Sequence, residues 1–217
     1  MSKLQKNINQ IEDKWLEKLF TYTRILFSKS NITSHDHLHH KRVWNYCKEI
    51  LNALESEILI EKDLIESLII ATFFHDTGLT ITVNENHGFK SRMLCENYFN
   101  ENNIEKPVNF EQILDAIEKH DNKNYTEKQS PTSLLTILCT ADDMDAFGRI
   151  GVIRYSEIYL LRGLPLHKLP DTVIENIDKR FGNFKQNYQF LPDLFTKYKS
   201  EYLITREFYE ELKKELS

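Results

Sequence analysis

The chain is predicted to be all-α, a single-domain helical bundle, on three observations. Only six glycines and five prolines interrupt its 217 residues. Long stretches repeat apolar residues every three or four positions, the spacing that gathers them on one side of a helix. No stretch alternates apolar and polar residues as a half-buried strand does. With 41% hydrophobic residues, this length supports one well-buried core better than two.

The elements follow in order. Helix one is predicted from about Ile8 to Phe27, with Trp15, Leu19, Tyr22 and Leu26 on one face. A polar break over Ser28 to Ser34 precedes a second helix, His35 to Leu54, whose inner stripe is Val43, Cys47, Ile50 and Leu54. Counting back four from Val43 puts His39 on the buried side with His40 at its shoulder, a margin too small for periodicity to separate them. The third helix, about Asp63 to His75, is an apolar run that ends in the dyad His75-Asp76, where the negative end of the helix dipole favours a cation. A loop over 77–86 leads to a fourth helix from His87 to about Asn100. The fifth has Asn109 as N-cap, Gln112 in the capping-box position and Val108 stapling to Ile113, and it carries Ile113, Ala116, Ile117 and His120 on one face. After a polar loop over 121–129, Ser130-Pro131 is predicted to start the sixth helix, with Leu134, Leu135, Leu138 and Ala141 inward and Asp142 on the same stripe. Gly148 and Gly151 would allow close helix approach in a seventh, Arg149 to Arg162, which Gly163, Pro165 and Pro170 stop. Two C-terminal helices, about Asp171 to Tyr188 and Pro192 to Leu216, carry aromatics and charges without a cluster of ligand-type residues.

A net charge of −5 argues against a chain that grips nucleic-acid backbone, which needs a basic face to displace counterions. An anionic small substrate would need a local positive centre. Cys47, Cys95 and Cys139 are odd in number and far apart, so reduced core thiols are expected, as in the cytoplasm. No apolar run reaches the ~20 residues of a membrane span, and residues 1–6 do not form the apolar core of an export signal.

A buried His-Asp dyad is costly unless something satisfies both groups, and a divalent cation does. The pattern supplies further ligands: His39, His75, Asp76 and Asp142 for one ion, and His87 and His120 for a second, with Asp76 bridging. Imidazole and carboxylate without thiolate suit Mn, Fe, Co or Ni, with Mg or Zn left open, as one or two ions. His35, His37, His40 and His167 are read as non-ligands. Asp121 and Asp143 are read as solvated, and Phe74, Phe110, Phe147 and Tyr155 as core.

Five segments, taken together, resemble the HD-domain superfamily of metal-dependent phosphohydrolases. They are His35-Asp36-His37-Leu38-His39-His40-Lys41-Arg42-Val43-Trp44, Phe74-His75-Asp76-Thr77-Gly78, His87 with Ser91, Ala116-Ile117-Glu118-Lys119-His120, and Ala141-Asp142-Asp143-Met144-Asp145-Ala146-Phe147-Gly148. The resemblance implies a core over about 31–165 with additional N- and C-terminal helices, the latter over about 171–217. It selects His39, three residues before Arg42-Val43, as first ligand, and maps the last to Asp142. The segment Gly148 to Arg154 resembles bacterial members that hydrolyse nucleotides. The implied activity is hydrolysis of a nucleotide or other small phosphate ester through a metal-activated water, with Asp76, Asp142 and Asp145 as catalytic carboxylates and Asp145 orienting a ligand histidine.

Two features depart from the family pattern. Leu79 stands where a phosphate-contacting lysine is common, which leaves Lys41, Arg42, Lys90 and Arg154 as the cations expected to meet phosphate, with Arg92 and Lys119 as further substitutes. His120-Asp121 stands where paired histidines are common. The same four histidines and two aspartates would also serve an HD-type mixed-valent di-iron oxygenase, and a nucleotide-sensing module is the third reading. A homodimer stays open.

Overall fold

The computed structural model describes residues 1–30, 32–83, 87–122 and 130–217. All regular structure among them is helical: α1 (Lys3–Phe27), α2 (His37–Leu54), α3 (Lys62–Phe74), α4 (His87–Glu101), α5 (Phe110–Lys119), α6 (Leu134–Asp145), α7 (Gly148–Leu161), α8 (Leu169–Tyr188) and α9 (Pro192–Glu215). Short 3-10 turns cover Thr77–Thr80 and Leu166–Lys168. No helix among the described residues is long and apolar enough to cross a membrane.

The bundle is built around α3. Ile65 and every residue from Ser67 to Phe74 are buried, because α1, α2, α5 and α6 enclose the helix on all sides. Each fully buried aliphatic or aromatic side chain there contributes roughly 1.5–3 kcal/mol. Two tryptophans tie α1 into this packing through their indole N–H groups, Trp15 donating to Glu66 at 2.7 Å and Trp44 to Glu12 at 2.7 Å. Helices α8 and α9 pack on each other, and α6 is buried along its whole length from Thr136 to Asp145. One continuous apolar cluster runs from Leu4 on α1 to Tyr209 on α9.

Helix ends differ from expectation where local chemistry chose another cap. The first helix begins at Lys3, because the Ser2 hydroxyl accepts from the Gln5 N–H and Leu4 is buried. The expected cap of α5 is absent: the Asn109 side chain makes no capping bond and Val108 is 94% exposed. Phe110 is buried instead, its ring 4.7 Å from that of Phe99, so the aromatic pair fixes the start of the helix. Ser130-Pro131 does not start α6 either. Ser133 caps it by accepting from the Thr136 N–H at 3.2 Å, while the Pro131 carbonyl accepts from the Tyr188 hydroxyl at 2.6 Å. Residues 31, 84–86 and 123–129, which the expected loops include, lie outside the described residues.

Two glycines matter. A Cβ on Gly78 would lie 2.0 Å from the His87 carbonyl oxygen, so only glycine lets the first turn of α4 close onto the segment after the dyad. The Gly78 N–H donates to Ser91 at 2.8 Å, which locks that approach. Gly148 opens α7 at a φ of +76°, against Glu201 of α9. The expected helix contact at Gly151 is not found: a Cβ there would meet the Ala146 carbonyl within its own chain segment.

Candidate metal centre

Five helices deliver the ligand-type residues to one place. His39 leaves the first turn of α2, whose N-cap, Asp36, accepts from the N–H groups of Leu38 and His39. His75 caps the C-terminus of α3, and Asp76 follows at the turn. His87 opens α4, His120 ends α5, and Asp142 lies in the last turn of α6. All six are buried, from 0% exposed for His39 and His75 to 7% for His87.

They form two groups, each able to hold a metal ion and each with its ligand atoms within 4.8 Å of one another: His39, His75, Asp76 and Asp142, and Asp76, His87 and His120. Asp76 divides its carboxylate between them. Its Oδ2 lies 3.2 Å from His39 Nε2 and 3.6 Å from His75 Nε2, and its Oδ1 lies 3.0 Å from both His87 Nε2 and His120 Nε2. Asp142 Oδ1 closes the first group, 3.6 Å from His39 Nε2 and 3.9 Å from His75 Nε2.

The donor set tests the fit to a cation. His75 Nδ1 faces the Thr72 carbonyl at 2.7 Å and His120 Nδ1 faces the Ile117 carbonyl at 2.6 Å. A carbonyl cannot donate, so each Nδ1 carries the hydrogen and each Nε2 presents a lone pair. His39 Nδ1 lies 2.7 Å from Asp145 Oδ2 and donates to it, which fixes the same tautomer. The Nε2 atoms of His39 and His75 are nevertheless 3.2 Å apart, as are those of His87 and His120. Acceptors facing acceptors beside carboxylates at hydrogen-bond distance are satisfied by positive charge placed among them, and these residues therefore fit a divalent metal.

Asp145 anchors the support behind this arrangement. It is 0% exposed and takes a bidentate pair from Arg42 at 2.7 and 2.9 Å, with Arg154 Nη1 3.1 Å from Oδ2. Burial alone would raise its pKa, but Arg154, His39 and Arg42 outweigh that and hold the carboxyl well below the usual range. Asp76 is likewise held far below it: burial pushes upward, and His75, His120, His39 and His87 around the carboxylate overcome that push. Burial depresses His40 and His120, which keeps both imidazoles neutral.

Burial would depress His75 too, but the Asp76 charge, Asp142 and the Thr72 carbonyl raise it above the ordinary histidine value. A proton on His75 Nε2 takes the place a cation needs, so metal affinity should fall as pH drops through that raised value. Titrating metal into the chain at constant ionic strength from about pH 8 to about pH 5.5 should show a steady loss of affinity, and a flat profile would contradict this ligand assignment.

The other expected phosphate cations divide. Arg154 is 5% exposed and lies between the groups and the support, with Nη2 3.4 Å from both His39 Nε2 and Asp142 Oδ1. Arg42 is occupied by Asp145. Lys41 and Lys90 do not line the cavity in front of the metal groups; their ammonium groups lie over the rings of Phe20 and Phe89, at 5.4 and 5.7 Å. That cavity, of about 610 Å³, is lined by Asp76, His87, His120 and Asp142 together with Arg154, Arg162, Lys179 and Arg180.

Several residues read otherwise from sequence also meet here. Asp143, read as solvated, is 0% exposed because α6 is enclosed on every side, and it accepts from Arg180 at 2.8 Å and Asn183 at 3.3 Å. Asp121 is half-buried, with Oδ2 3.5 Å from His87 Nδ1. Tyr155, read as core, is buried and also lines the cavity. His35, buried at 8% exposed, lines it as well, its Nδ1 3.1 Å from the Ser34 hydroxyl, which Glu157 holds. Arg180 was missed because α8 carries no cluster of ligand-type residues, but its register was a signal: it falls on the stripe of Ile177 and Phe184, where a charged residue needs a reason to be half-buried.

No family model, curated protein or solved structure matches this chain.

Proposed function

We propose that the chain is a metal-dependent phosphohydrolase of the HD-domain type, acting on a nucleotide or another small phosphate ester. The observation that carries this reading is the junction of two imidazole-carboxylate groups, joined through Asp76, with a cavity that Arg154, Arg162, Lys179 and Arg180 also line. Manganese, iron, cobalt or nickel, when bound, supplies the charge that polarises a phosphoryl oxygen and lowers the pKa of water.

The chain's own residues do the rest. Asp76 and Asp142, with His39, His75, His87 and His120, hold the ions. Asp145 acts through His39, fixing its tautomer and ring orientation, so it is a positioning residue. Arg154, Arg162, Lys179 and Arg180 draw and orient an anion that the acidic chain as a whole would repel. The three buried cysteines, none of them in a disulfide, suit a reducing compartment.

Four imidazoles with two carboxylates also favour a di-iron centre, so a mixed-valent oxygenase is the second reading. Phosphate release from a panel of nucleotides and simple phosphate monoesters, with Mn, Co or Mg added and then chelated, tests the first. Metal-dependent release that chelation abolishes is the expected result. No release from a fully loaded chain, together with a mixed-valent di-iron signal in electron paramagnetic resonance after anaerobic purification, would favour the oxygenase instead.

A further inference from the structure

The metal groups use one oxygen of Asp142, and the other points elsewhere. Oδ1 faces His39 and His75, while Oδ2 lies 3.5 Å from Arg180 Nη1. Arg180 comes from α8, outside the segments that carry the ligands. Its guanidinium is held by Asp143 at 2.8 Å, itself held by Asn183, and it stands 5.8 Å from the centre of the Tyr155 ring. Both Arg180 and Tyr155 line the cavity in front of the metal groups. The Tyr155 side chain is 5% exposed, and its hydroxyl is buried without a hydrogen-bond partner among the described residues. A buried hydroxyl in that state is destabilising unless a ligand satisfies it.

Arg180 stands at the edge of the first metal group, on the lining of the cavity that an anion would enter. We propose that Arg180 and Tyr155 form the phosphoryl-binding subsite, gripping the non-bridging oxygens of a phosphoryl group that carries two ionised oxygens. Helices α7 and α8 thereby supply substrate specificity to a metal centre held by α2 to α6. This inference rests on the phosphohydrolase reading.

The test is calorimetric titration of inorganic phosphate into the full chain loaded with Mn(II), with metal counted per chain, for the wild type, Arg180→Gln and Tyr155→Phe. Wild type should bind phosphate. Arg180→Gln should weaken binding ~10- to 100-fold and Tyr155→Phe ~3- to 10-fold, as expected for a charge-assisted and a neutral hydrogen bond, with metal content unchanged in both. Phosphate affinity equal to wild type in both variants overturns the proposal. Loss of metal from Arg180→Gln with unaltered phosphate binding by Tyr155→Phe also overturns it, because Arg180 then serves only to prop Asp142. A wild-type chain that takes no metal, or takes metal and binds no phosphate, fails one step earlier and removes the phosphohydrolase reading itself.

Discussion

Asp76→Ala is expected to abolish metal binding at both ligand groups at once while leaving the helical bundle folded. The reason is geometric: one oxygen of Asp76 serves His39 and His75 and the other serves His87 and His120, so this carboxylate alone belongs to both groups. Losing a residue that merely orients a ligand costs 10- to 100-fold in metal affinity, and losing a ligand shared by two ions should exceed that, to more than ~100-fold. The fold should survive because Asp76 sits at the turn after α3, while the apolar residues that hold the bundle lie within the helix. Elemental analysis alongside far-ultraviolet circular dichroism separates the two effects. His120→Ala, by contrast, touches only the second group and should lower the metal count without emptying the first.

The second large effect is expected at Asp145. Asp145→Ala leaves Arg154, 7% exposed at its side chain, and Arg42, 27% exposed, without the carboxylate they share, and frees His39 Nδ1. Removing one partner of a buried ion pair costs about 3–5 kcal/mol. Arg42 reaches water in part and recovers some hydration, so about 3 kcal/mol is the expected loss. For a chain of this size that corresponds to a fall of about 6–12 °C in melting temperature. Metal affinity should fall ~10- to 100-fold as well, because His39 loses the partner that sets its tautomer. Asp145→Asn retains the size and one acceptor, so its melting temperature should lie between those of the wild type and the alanine variant. Equal melting temperatures for all three would remove Asp145 from the support of the centre.

How much of this was legible in the sequence depended on whether a residue's role was set within its own helix. The dyad at the end of α3 was readable because a continuous apolar run followed by two polar groups is local, and α3 is enclosed as that run implies. His39 and His40 were not separable by period, and both are buried. The structure separates them by what their Nε2 atoms face: the carboxylates of Asp76 and Asp142 for His39, and no hydrogen-bond partner among the described residues for His40. Asp143 was misread because a helix was assumed to have one wet face, whereas α2, α3, α5, α7 and α8 surround α6. Arg180 lies 37 residues beyond Asp143, which accepts from it at 2.8 Å, and only tertiary packing brings the two together. The caps of α5 and α6 were missed because aromatic packing at Phe110 and the Ser133 hydroxyl displaced sequence motifs that fitted equally well on paper.

The most direct measurement is the number and identity of metal ions per chain in protein purified anaerobically and then saturated with Mn(II) or Fe(II), with Asp76→Ala beside it. One or two transition-metal ions per chain, absent from the variant, is the predicted result for ligand groups joined through Asp76. A wild-type chain that takes up no metal at saturation, or an Asp76→Ala chain that keeps its full complement, would contradict it.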